Sequence, residues 1–196
     1  VSRDIDKGEF QEFKRVLEGI KDEYAQICKT FLSDRSVKDR TVDVAYLSQE
    51  DAEKFCMVGP FARASYLNND VRCLGLGAYG KLDDFEPILD KAGDCYALVK
   101  VRALEVLQSI DIIEELIEKI PDGDIAVDVK APAKAGAQSS HIIEQPRGEA
   151  FYYAAGNGSK FLDRMRIRTP TAQNIGGMIT CLAGCDLADG NMRVLT

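Results

Sequence analysis

The stretch DCYALVKVRALEVLQSIDIIEELIEKI, residues 94–120, decides the fold class. Its apolar residues Leu98, Val101, Leu104, Leu107, Ile110, Ile113, Leu116, Ile117 and Ile120 return every three or four positions. That spacing lines one face of an α-helix, and Glu105, Glu115 and Glu118 fall off it. Pro121-Asp122-Gly123 ends the run. A second pattern of the same kind, Phe10, Phe13, Val16, Leu17, Ile20, Tyr24, Ile27 and Phe31, predicts an earlier helix from Glu9 to Leu32, about 36 Å long at 1.5 Å per residue. Two long helices with one apolar face each bury those faces by packing together.

Shorter signals fill in the rest. Ser48-Gln49-Glu50-Asp51 predicts the start of a short helix, the Ser48 oxygen accepting from a free amide and Asp51 favouring the positive helix end. It should finish before Gly59-Pro60, because Pro60 disfavours a helical residue ahead of it. A loop rich in Gly, Asn and Asp runs through Gly75, Gly77 and Gly80, and residues 122–140 read as an exposed excursion. Glu149 to Tyr153 and Phe161 to Arg168 flank Gly156-Asn157-Gly158, a hairpin signal. In the second of these strands Met165 and Ile167 alternate with Arg164, Arg166 and Arg168, predicting one buried and one polar face. Thr169-Pro170 opens a last helix through Ile175, Met178, Ile179 and Leu182. The fold class is mainly α (α+β): a single domain over 1–196, with a helical core of long antiparallel helices plus a small antiparallel β-hairpin.

Composition narrows the function. A net charge of −7 argues against a nucleic-acid surface, which needs clustered Lys and Arg. No apolar run approaches the ~20 residues of a membrane span. The start, Val1-Ser2-Arg3-Asp4, has no signal-peptide character and no initiator Met, so the chain is read as an internal piece of a longer product. The 6 cysteines form no C-x-x-C pair and there is 1 His, so a zinc site would require chance assembly from distant loops. Reduced thiols in a reducing compartment are the simple reading.

Three segments carry chemistry. Gly59-Pro60-Phe61-Ala62-Arg63-Ala64-Ser65, followed by Asp70-Val71-Arg72, reads as a loop with Arg63 solvated or paired to Asp70. In Glu144-Gln145-Pro146-Arg147-Gly148-Glu149, Pro146 stiffens the backbone, Gly148 admits close approach, and Arg147 presents permanently charged donors to an anion. Glu144 is placed to orient Arg147, and a surface salt bridge is the alternative. In Arg168-Thr169-Pro170-Thr171-Ala172-Gln173-Asn174 a helix N-terminus offers amides and hydroxyls, although capping alone explains Thr169. Cys181 and Cys185, four apart, are read on one helix face as core or wall residues.

In order and spacing these motifs resemble the large subunits of nickel–iron hydrogenases and the related 49-kDa-type subunit of respiratory complex I. The resemblance runs from Arg3-Asp4-Ile5 through Val37–Val42, the 59–65 and 70–72 motifs, Gly93–Tyr96, Arg102 and Gln108–Ile110. It continues through 144–149 and RIRTPTAQN (166–174) to Gly184–Asp189. The last two lean toward the energy-converting, membrane-bound hydrogenase branch. That resemblance implies a nickel–iron centre with cyanide and carbon monoxide ligands in the whole subunit, held by cysteine pairs outside these residues, so that the piece itself binds no metal and is inactive. It implies Arg147 as the catalytic arginine over the metals, Pro146, Arg147 and Thr171 around the cyanides, and Glu144 behind Arg147. Implied partners are an iron–sulfur small subunit and membrane-arm subunits, on the cytoplasmic face of the cell membrane. The alternatives are a quinone module of complex I type or a metal-free scaffold. A chain cut from such a subunit should also self-associate through exposed apolar faces.

Overall fold

A computed structural model describes residues 4–129 and 131–195. Arg3 of the opening motif lies outside the described residues, as does Lys130 of the excursion. The first long helix, α1 (Lys7–Ser33), opens on a capping box: the Asp6 carboxylate accepts from the Gly8 and Glu9 amides, and Glu9 accepts from the Asp6 amide. Asp34 then caps α2 (Arg35–Thr41). Ser48 caps α3 (Gln49–Lys54), accepting from the Asp51 amide as the sequence predicts. The other long helix, α5 (Cys95–Glu118), is capped by Asp94.

α1 and α5 touch along their lengths in opposite chain order. Lys14 pairs with Glu118, Lys21 with Asp111 and Glu114, Cys28 faces the Ala103 carbonyl, and the Tyr96 hydroxyl donates to the Leu32 carbonyl. Only one stripe of α1, including Leu17, Tyr24 and Cys28, is covered. Phe13, Val16, Ile20, Ile27 and Phe31 stay exposed, so the apolar face is wider than α5 can bury.

Between the long helices the chain builds the core. The stretch read as a loop, 59–65, contains a helical turn, α4 (Pro60–Arg63), with Pro60 at its first position. Met57, Ala62, Leu47, Ala52 and Cys181 form one buried cluster, and Ala64, Ala97, Leu98 and Val101 another. Two 3-10 turns follow, Val71–Leu74 and Gly77–Lys81.

The expected hairpin is a three-stranded antiparallel sheet, in the order β1-β2-β3. β1 (Gln138–Gln145) begins inside the stretch read as an excursion, β2 is Gly148–Gly156 and β3 is Leu162–Arg168. Residues 122–129 are exposed and carry no regular structure, as read. The expected buried face of β3 is overturned: Met165 and Ile167 are about half exposed, at 52% and 51%. β3 is an edge strand, and no described element covers that side.

Thr169 caps α6 (Pro170–Leu182), which ends before Cys185. Cys181 and Cys185 therefore do not share a helix, although the Cys185 thiol still reaches the Cys181 carbonyl at 3.4 Å. A last helix, α7 (Leu187–Leu195), brings Arg193 back under the start of α5. Arg193 is buried against the Phe61 ring and donates to the Asp94 carbonyl at 2.7 Å. Among the described residues no helix is long and apolar enough to cross a membrane.

Candidate functional site

The three chemistry-bearing segments converge on Val58-Gly59-Pro60. Pro146 and Arg147 form the two-residue turn between β1 and β2, flanked by the paired Gln145 and Gly148. That turn lies backbone to backbone on Gly59: a Cβ on Gly148 would meet the Gly59 nitrogen at 2.7 Å and its Cα at 2.8 Å. Both glycines hold positive φ, +71° and +124°, so neither has a side-chain replacement free of strain. The close approach read at Gly148 is thus an approach of main chain. From the other side, Asn174 of α6 clamps Val58, accepting from its amide at 2.9 Å and donating to its carbonyl at 3.0 Å.

Behind the turn lies a buried charge cluster. Arg63, read as solvated or paired to Asp70, is 1% exposed and bonded to three carboxylates. Its contacts are Asp70 at 2.9 Å, Glu105 at 2.6 Å and Glu144 at 2.9 Å. Arg72 adds bonds to Asp70 at 2.6 Å and Glu105 at 3.3 Å and stacks on Phe85. Glu105, placed by its period off the apolar face of α5, therefore points inward to satisfy two guanidiniums. Glu144, expected to hold Arg147, has Arg63 as its partner, because β1 turns it toward α4 rather than toward the turn ahead.

Electrostatics divide the acids. Burial works to raise the Asp70 carboxyl, but the Arg72 hydrogen bonds and the charges of Arg63 and Arg72 outweigh it and hold it below its ordinary value. Burial raises Glu144, and Arg63 offsets this only in part. Burial likewise pushes up the Cys181 thiol.

Of the expected ligand-facing groups, Arg147 and Thr171 share a cavity and Pro146 does not. Arg147 and Thr171 line one small cavity of about 80 Å³, whose apolar walls include Phe61, Leu98 and Met178. Arg102 of α5 enters the same cavity. Pro146 lines a neighbouring cavity of about 240 Å³ with Arg63, Arg102, Glu105 and Glu144. No hydrogen bond or ion pair is formed by the Arg147 or Arg102 guanidinium among the described residues. Burial, and then the like charge of Arg147, lower the Arg102 guanidinium from its ordinary value. Sequence reasoning carried Arg102 only as part of a motif. Its period on α5, one turn before Glu105, was the available signal.

Two guanidiniums and a hydroxyl at an apolar-walled cavity, with Arg147 and Thr171 exposed, can hold a small anion or an anionic ligand of a larger group. The described residues contain no cluster of three or more His, Cys, Asp or Glu side chains fit to hold a metal.

Residues 1–140 match the family described as the 49 Kd subunit of respiratory-chain NADH dehydrogenase, and the chain belongs to that family. It is 33% identical over 165 residues to the carbon monoxide-induced hydrogenase of Rhodospirillum rubrum, covering 84% of this chain and 45% of that protein. It is 34% identical over 181 residues to an NADH-quinone oxidoreductase subunit of Phocaeicola vulgatus, covering 91% and 34%. It is 28% identical over 199 residues to an F(420)H(2) dehydrogenase subunit of Methanosarcina mazei, covering 96% and 52%. The chain thus spans from a third to about half the length of these relatives.

Proposed function

We propose that this chain is the part of a hydrogenase-type oxidoreductase subunit that surrounds a nickel–iron centre carrying cyanide and carbon monoxide ligands. The observation that carries the reading is the shared cavity of Arg147 and Thr171, with the Arg147 guanidinium unpaired among the described residues. The donor set fits the surroundings of such a centre, not its metal coordination: cationic and hydroxyl donors in a small apolar-walled site suit charged diatomic ligands. Its thiolates would come from cysteine pairs, and these 196 residues contain no C-x-x-C. When bound, the centre supplies the redox and hydrogen-activating chemistry.

The chain's own residues supply position and charge. Pro146 and the Gly148–Gly59 contact fix the turn, so the Arg147 guanidinium is aimed without mobile backbone. Arg147 holds negative charge that develops beside it. Thr171 donates from its hydroxyl, and Arg102 adds a second positive charge from α5. In the whole complex, electrons pass to an iron–sulfur small subunit, and membrane-arm subunits couple the reaction to ion movement on the cytoplasmic side.

A second reading is favoured by the family's description as a respiratory NADH dehydrogenase subunit. In it the same scaffold frames a quinone cavity and holds no metal. The intact complex separates the two. On the first reading it contains nickel and reduces a dye with hydrogen, and Arg147→Lys keeps the nickel while lowering that rate by about 10²-fold or more, the usual loss for a removed charge-stabilising donor. Absence of nickel, with electron transfer to a quinone intact, overturns it in favour of the quinone module.

A further inference from the structure

The buried cluster behind the Pro146–Arg147 turn holds one carboxylate more than the guanidiniums bonded to it. Two guanidiniums, Arg63 and Arg72, face three acids, Asp70, Glu105 and Glu144. The side chains of Arg63, Asp70 and Glu144 are 2%, 0% and 5% exposed, so water does little to stabilise the excess charge.

The acids are unequally bonded. Asp70 accepts from the Arg72 amide, from both Arg72 donors and from Arg63. Glu105 accepts from Arg63 and Arg72. Among the described residues Glu144 accepts only from Arg63, through Oε1, and its Oε2 is buried without a partner. No further cation bonds to Glu144 among the described residues, although the Arg102 charge acts on Glu105. Opposite on β2, Glu149 is taken by Arg168. From the 3-10 turn, Tyr79 brings a phenol and no cation. From α5, Arg102 lines the cavity but forms no pair with Glu144, and Arg147 faces the other cavity.

We propose that Glu144 is the group on which this cluster carries one proton, exchanged with water through the cavity lined by Pro146. The step is a plain protonation: the carboxylate takes a proton from hydronium, forming one O–H bond and releasing water, with no change of oxidation state. The cavity, about 240 Å³, is lined by Glu144 itself with Arg72 and Ser109, polar partners and space for the water this needs. A proton-holding carboxyl thus stands three residues from Arg147, beside a redox site but outside its ligand-facing cavity. The inference rests on charge count and burial and holds whichever electron donor the subunit serves.

The test is pH-difference infrared spectroscopy on the intact protein, reading the carbonyl stretch of protonated carboxyls. One carboxyl is expected to stay protonated at a pH clearly above the ordinary glutamate value of about 4.3. Glu144→Gln removes that band. Glu105→Gln, which cancels the excess charge, moves its loss to lower pH. If Glu144→Gln does not fold, the Glu105→Gln shift decides alone. A wild-type protein without such a band, a band that survives Glu144→Gln, or one unmoved by Glu105→Gln overturns the proposal.

Discussion

Arg63 shows how much a single residue can carry that spacing does not reveal. Its partners Glu105 and Glu144 lie 42 and 81 positions away in the chain. Asp70, seven residues on, was the only partner its motif could name. The sequence therefore found Arg63, Glu144, Arg147 and Thr171 as residues but connected two of them wrongly. Glu144 was joined to its neighbour in sequence, Arg147, when the sheet joins it to α4. Removing Arg63 leaves three buried acids short of a cation, so Arg63→Met is expected to destabilise the fold by about 3–5 kcal/mol, read from urea unfolding. Arg63→Lys should recover only part of this, because an ammonium cannot copy the planar fork that reaches three carboxylates. Gly148 makes the second case. At φ +124° against the Gly59 backbone, Gly148→Ala meets both a forbidden dihedral and a collision at 2.7 Å. A loss of about 1–3 kcal/mol from the dihedral alone is expected, with a lower thermal midpoint. A variant as stable as the wild type would mean that the turn can lift off Gly59.

The elements divide by length. α1 and α5 were legible because 27 and 24 residues repeat their period many times, and their caps, Asp6 and Asp94, stand just outside it. α4 was not, since four residues are shorter than one reliable period, and Pro60 signals a bend as readily as a helical start. β1 begins Gln138-Ser139-Ser140-His141, polar residues without apolar alternation, and only pairing with β2 makes it a strand. β3 has the alternation but not the burial, because a period of two says which residues share a face and not whether anything covers it. Gly19 tests the reading of α1. It sits in an exposed helix interior, and a Cβ there meets nothing within 4 Å. Gly19→Ala is expected to stabilise by about 0.5–1 kcal/mol through the smaller entropy loss. No gain in a denaturation midpoint would show that the middle of α1 is not helical in solution.

The whole molecule carries both an unburied apolar surface and a buried excess of charge, and each has a measurable consequence. Ile20, Ile27 and Phe31 on α1, and Met165 and Ile167 on β3, remain in solvent, which favours association between copies. Sedimentation of the chain is expected to depend on its concentration, and less so after Ile167→Lys; a coefficient constant with concentration would mean these faces stay apart. The buried charge acts on stability through pH. Asp70 is held below its ordinary value, so its contribution is present above the unfolded carboxylate value and is lost as pH falls through the folded one. Glu144 is raised, so its sign is opposite: its contribution is complete below the unfolded glutamate value of about 4.3 and is lost as pH rises through the folded value. Between these two limits the native state binds more protons at Glu144 than the unfolded chain does, so the Glu144 contribution to unfolding free energy falls with rising pH, against the rise contributed by Asp90 and Glu115. Glu144→Gln keeps a neutral, uncharged group at that position at every pH. Across this window the unfolding free energy measured in urea should therefore rise more steeply with pH in Glu144→Gln than in the wild type, with the acid-side loss due to Asp70 kept. An unchanged slope would place the proton-binding difference on some group other than Glu144.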